Sequence, residues 1–125
     1  MKIYIGHASS FDYHNDLYAP IKESNLSDQY DFVFPHELNA QGQYSRDIIM
    51  SCSGMIAEVS HASTGLGIEL TWAQNVNIPI FCVAKSGSKP SSALNQIGAD
   101  ISLYEDTTEL LNNLRAFLMT LKVSQ

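Results

Sequence analysis

The residues best placed to do chemistry lie in 57–73, AEVSHASTGLGIELTWA, where an apolar run gives way to small polar residues, two glycines and a glutamate among aliphatic side chains. On a helical wheel of roughly 100° per residue, Ile68, Trp72, Val76, Glu69, Ala73, Leu66 and Leu70 share one arc. Glu69 falls in the middle of that arc and is expected to face a sheet rather than water. An unpaired buried charge costs on the order of several kcal/mol or is neutralised by a proton, so a partner or a ligand cavity must account for it. The amino end of the helix favours an anion nearby and opposes the rise in pKa that burial causes. Gly65 and Gly67 each cost about 1 kcal/mol relative to alanine inside a helix. Two explanations fit. The glycines allow close packing on a sheet while Glu69 ties down an amide or hydroxyl, or they leave room for a ligand beside the carboxylate.

The elements that must position Glu69 alternate along the chain. Residues 2–7, KIYIGH, read as a strand ending in the polar loop ASSFDYHND. Leu17, Tyr18 and Ile21 have helical spacing within 16–26, with Pro20 tolerated only near the helix start. Residues 30–37 read as a second strand, 45–52 as a short helix, and 53–60 as a third strand. A helix over 64–75 has Ser63 or Thr64 as its cap, and the continuous apolar run 78–85 suits a strand buried on both faces. A possible helical turn after SGSKPSS, a fifth strand over 99–105 and a helix striped with Leu110, Leu111, Leu114, Phe117, Leu118 and Leu121 complete the chain. This order predicts an α/β fold: one domain spanning residues 1–125, a doubly wound, flavodoxin-like, five-stranded parallel sheet with helices on both faces. Ligands are expected at the carboxyl ends of the strands, where strand order reverses.

Composition narrows the partners. Seven Lys and Arg against thirteen Asp and Glu give a formal charge of −6, and the few basic residues are scattered. No basic stripe can follow a phosphate backbone, so no nucleic acid polymer is expected. No apolar segment approaches the roughly 20 residues that cross a bilayer, and no signal-peptide pattern precedes the first strand, so a cytoplasmic protein without a membrane partner is expected. Cys52 and Cys82 sit in apolar surroundings and read as reduced core thiols. His7, His14, His36 and His61 lack metal-ligand spacing, so no metal is expected. Glu58 interrupts an apolar strand and reads either as structurally partnered or as a supporting residue of the site.

AEVSHASTGLGIELTWA resembles the signature of the nucleoside 2-deoxyribosyltransferase superfamily, which includes the 2′-deoxynucleoside 5′-phosphate N-hydrolases. The opening IYIGHASS, then LYAPI, RDIIMSCSGMIAEVS and KPSSALNQIGA, follow in the family's order, so the resemblance covers most of the chain. It implies that Glu69 is the nucleophile that attacks the anomeric carbon of a sugar and releases the base, as a carboxylate does in retaining glycosidases. Water or a second base then resolves the intermediate, without a cofactor. The resemblance further implies catalytic roles for Asp47, the only aspartate nearby although closer in sequence to the glutamate than in the hydrolases, and for Tyr4. A half-buried strand aromatic is the alternative reading of Tyr4. Ser63 corresponds to a serine that binds the 5′-phosphate or a sugar hydroxyl, and Ser92 to one that reaches the site of the partner subunit in a homodimer. Both also read as cap or loop hydroxyls. Gly6, Ser9 and Ser10 suit a loop touching a sugar or phosphate through backbone N–H groups, while His7 and His61, at strand ends, suit contact with a base. Ser9 stands where the hydrolases carry an arginine. A small nucleoside or nucleotide is the expected substrate, hydrolysed or subjected to base exchange.

Two other functions compete. IGHASSFDY, followed by a late strand, a serine-containing loop and a helix glutamate, also resembles TIR-like domains, some of which cleave the nicotinamide bond of NAD. The glycine spacing of STGLGIELTWA and the lack of a tryptophan–cysteine pair before the glutamate favour the first reading. A non-catalytic nucleotide-binding module would keep the pocket without turnover. A phosphoacceptor receiver shares the architecture, but GHASS supplies no acidic pair to hold a metal and a phosphoryl group.

Overall fold

The computed structural model describes residues 1–37 and 45–123. It is an α/β sandwich built on a five-stranded, all-parallel sheet: β1 (Lys2–His7), β2 (Asp31–Val33), β3 (Gly54–Glu58), β4 (Ile80–Lys85) and β5 (Ile101–Tyr104). The strand order is β2-β1-β3-β4-β5. The chain winds outward one way from β1 to β2 and the other way from β3 to β5, so the reversal falls between β1 and β3. There His7 pairs in register with Glu58. In an open parallel sheet this is where the loops diverge and leave a crevice.

Two apolar layers hold the helices. Ile3, Ile5, Ile56 and Val83 face one way and pack with Leu17 and Ile21 and with Leu110, Leu114 and Leu118 of α4 (Thr107–Val123). Tyr4, Met55, Ala57 and Cys82 face the other way and pack with Ile49 of α2 (Ser45–Met50) and with Leu66, Leu70 and Ala73 of α3 (Thr64–Asn75). The period-2 alternation of β1 and β3 therefore feeds both layers. Cys52 and Cys82 are unpaired and buried, and burial pushes the Cys82 thiol up to about 11.

Several elements depart from expectation for visible reasons. β2 ends at Val33, and a short 3₁₀ turn over Pro35–Glu37 replaces its second half, because proline lacks the N–H a ladder needs. The helix expected over 16–26 is broken into three. A π-helical turn, His14–Tyr18, has the Ala19 N–H reaching back to the His14 carbonyl. It runs into α1 (Ala19–Glu23), which carries Pro20 in its first turn, and a 3₁₀ turn over Asn25–Asp28 follows. Pro20 has no N–H to continue an α pattern. On α3, Ile68 lies outside the buried arc and is 46% exposed. At roughly 140° from Ala73 on the wheel, it falls beyond the face that one sheet can cover.

Candidate active site

Glu69 comes down from the second turn of α3 onto β1. Ser63 starts the helix, its Oγ accepting the Leu66 N–H at 3.3 Å. Leu66, Leu70 and Ala73 press α3 on the sheet, leaving Glu69 half-buried on the flank that faces β1 and α2. There the phenol of the fully buried Tyr4 donates a hydrogen bond to Glu69 Oε2. Burial pushes the Glu69 carboxyl above its ordinary range, and the Tyr4 hydrogen bond opposes that shift. Burial first, then the adjacent Glu69 charge, pushes the Tyr4 phenol far up, against the opposing Ser45 hydroxyl at the start of α2. Tyr4 therefore remains a proton-bearing donor across the physiological range. The dipole of α3 fades within its first turn, so the phenol is the nearer counterweight to desolvation.

Gly65 lies one turn before Glu69, at the i−4 position on the same flank, and the nearest atom to a Cβ built there is Ser63 Oγ at 4.0 Å. Gly67 has nothing within 4 Å. Neither glycine is needed for packing on the sheet, and both leave the start of α3 open. Gly6 is the opposite case. A Cβ there would lie 2.6 Å from Met55 Cε and 3.0 Å from Leu66 Cδ1, so the space beside Gly6 belongs to the core and not to a ligand.

A crevice of about 550 Å³ runs along the other flank of α3, between its start and the 3₁₀ turn Ser92–Ile97. His61, Ser63, Gly67, Leu70, Ser91 and Leu94 are among its walls; Glu69 is not. Glu69 and this crevice thus lie on opposite flanks of one helix. At the Glu69–Tyr4 pair a carboxylate is partly desolvated, met by one donor and still open to solvent, the combination a nucleophile needs.

The remaining expected site residues are dispersed. Ser9 and Ser10 form an exposed turn after β1, and Ser92 is exposed at the crevice edge. His61 is exposed at the mouth, its ring centroid 6.0 Å from that of Phe11. Asp47 does not join the carboxylate. It is a surface residue 3.9 Å from the Arg46 guanidinium, beside a separate hollow with Lys2, Phe32, Phe34 and Glu37. Among the described residues, no hydrogen bond or ion pair links it to Glu69 or Tyr4.

His7 is buried, and its ring identifies residues that sequence reading passed over. Nδ1 lies 2.9 Å from the Ala8 carbonyl, an acceptor, so it carries the proton and leaves the Nε2 lone pair to accept the Tyr18 O–H at 2.6 Å. Burial lowers the pKa of the ring, consistent with this neutral tautomer. Tyr13 stacks on His7 at 4.4 Å and His36 lies at 4.7 Å, forming an aromatic wall at the carboxyl end of β1. Tyr18 was legible only as a helix-stripe residue. The signal for its role is the need of a buried strand-end histidine for two partners.

No protein-family model and no curated protein sequence matches the chain. Among solved structures, the Clostridium botulinum CMP N-glycosidase BcmB superposes with a TM-score of 0.64 over 92% of this chain and 99% of that one, at 16% identity. At that identity the likeness is one of fold.

Proposed function

We propose that the chain cleaves the N-glycosidic bond of a nucleoside or nucleotide, with Glu69 as nucleophile. The observation that carries the reading is the half-buried Glu69 carboxylate on an open helix start, held by the Tyr4 phenol beside the reversal of strand order. The shared fold with a CMP N-glycosidase adds support. A Glu69 oxygen forms a bond to the anomeric carbon as the bond to the base nitrogen breaks. The base leaves with that electron pair and takes up a proton. Water or a second base then displaces the carboxylate and regenerates Glu69. Tyr4 holds one carboxylate oxygen and leaves the other for attack. The open space at Gly65 admits the sugar. The exposed Ser9–Ser10 turn and Ser63 meet its hydroxyls or phosphate, and His61 flanks the base, while the buried His7, both of its ring nitrogens engaged, holds the aromatic wall in place. Asp47 is assigned no step. Ser92 reaches the site of a second copy in a homodimer.

Incubation with a panel of deoxynucleosides, nucleosides, their 5′-monophosphates and NAD, with free base followed by chromatography in the presence and absence of an acceptor base, tests the reading. Release of a nucleobase that disappears in Glu69→Ala supports it. Release of nicotinamide alone assigns an NAD glycohydrolase instead, and no release from any substrate overturns catalysis.

A further inference from the structure

Glu58 is 1% exposed, and the Glu69 chemistry makes no use of it. Its carboxylate collects three donors: the Ser60 N–H at 2.7 Å and the Ser60 O–H at 2.9 Å, both from the loop that follows β3, and the Tyr104 phenol at the end of β5. Ser60 Oγ in turn accepts the Lys85 N–H at 2.8 Å, where β4 ends. The Ser86 N–H continues the link to the Tyr104 carbonyl at 2.9 Å. One buried carboxylate therefore joins the carboxyl ends of three adjacent strands. Two segments leave this knot. Ser60 leads to His61, Ser63 and the start of α3, and Lys85 leads to Ser91 and the 3₁₀ turn. These are the two walls of the 550 Å³ crevice.

We infer that Glu58 is a positioning residue that sets the separation of the two crevice walls, with Ser60 and Tyr104 as its arms. A core carboxylate costs stability unless each of its lone pairs is met, and an apolar residue would serve a purely structural strand end as well. Here every donor belongs to a crevice wall or to the strand that braces it. Glu58 lies on the face of the sheet that packs against α4, whereas Glu69 and Tyr4 lie on the face that packs against α3. Loosening the knot should move the walls and leave the Glu69–Tyr4 pair in place. The kinetic part of this inference rests on the proposed N-glycosidase activity, but the structural part does not.

Tyr104→Phe keeps the ring in the core and removes one donor. Glu58→Gln keeps the shape and removes the charge. Amide chemical shifts of both variants should change at residues 60–64 and 85–93 and stay constant at Tyr4 and Glu69. With a substrate found in the panel, KM should rise about tenfold in Tyr104→Phe while kcat stays within about twofold, as expected for loss of a hydrogen bond to a charged group acting on binding. Shift changes confined to β5 and α4, or a fall in kcat at constant KM, would overturn the inference. Should Glu58→Gln fail to fold, Tyr104→Phe decides alone. If no substrate is turned over, the proposed function fails, and the amide shifts still decide the role of Glu58.

Discussion

Desolvation and a single phenol set opposing demands on Glu69, and their balance can be measured. The folded-state pKa of the carboxyl is raised by burial. Its favourable contribution to stability is therefore present below the unfolded value, near 4.5, and is lost as pH rises through the folded value. At neutral pH the ionised group weighs against the fold. Glu69→Gln, a permanent stand-in for the protonated acid, should melt a few degrees above wild type at pH 7, and the gap should close on acidification to about pH 4 in a series of thermal melts. The same variant should lose base release by at least about a thousandfold. Tyr4→Phe removes the hydrogen bond that lowers the Glu69 pKa, so the acid limb of kcat/KM should move to higher pH. An unmoved limb would detach Tyr4 from the nucleophile. Glu69 was visible in the sequence from its place on an apolar helix face, and Tyr4 only through family resemblance. That the two side chains meet is not written in the sequence, because 65 positions separate them. The displacement of Asp47 was equally hidden: a spacing along the chain does not reveal which way a short helix turns its first residues.

At the scale of elements, α3 carries its own test. Glycine in a helix costs about 1 kcal/mol against alanine unless something needs the missing side chain, and a Cβ at position 67 would meet nothing within 4 Å. Gly67→Ala should raise stability by about 0.5–1 kcal/mol in urea titrations. Gly65→Ala should stabilise the helix in the same way but reduce kcat/KM, since its methyl group would occupy the approach to Glu69. Loss of stability in both would restore the packing explanation that the open space argues against. Five strands and the long helices α3 and α4 were legible because apolar spacing at periods 2 and 3.6 survives in sequence. The short elements were not. Pro35 truncates β2, and Pro20 forces the π-helical turn, each through one missing N–H whose consequence depends on neighbours the sequence does not display.

For the molecule as a whole, the sheet and both apolar layers are complete within one chain, whereas the candidate site is thin on polar groups. Light scattering at micromolar concentration should give a homodimer, with Ser92→Ala weakening substrate binding more than it slows turnover. A strictly monomeric protein would remove the partner from the reading. Phosphate recognition is the second whole-molecule question, for a chain with formal charge −6. Ser9 offers one neutral hydroxyl, and a neutral hydrogen bond has about half the strength of a charge-assisted guanidinium contact. The ratio of kcat/KM with and without a 5′-phosphate should stay below about a thousandfold and increase in Ser9→Arg. A wild-type preference above that would mean that another group supplies the missing charge.

The knot at Glu58 also bears on how the chain assembles. β1 is synthesised first yet lies inside the sheet, next to the β2 edge, and it waits for β3 to complete its second edge. β3 in turn brings a carboxylate whose full set of donors arrives only with Tyr104, near the end of β5. A nascent chain that stops after β4 holds an acid short of one donor in a closing core. Early closure is thereby disfavoured, and the gain from desolvating Glu58 is deferred until the last strand docks. The carboxylate that sets the crevice walls thus couples the middle strand to the last strand of the chain in one cooperative step.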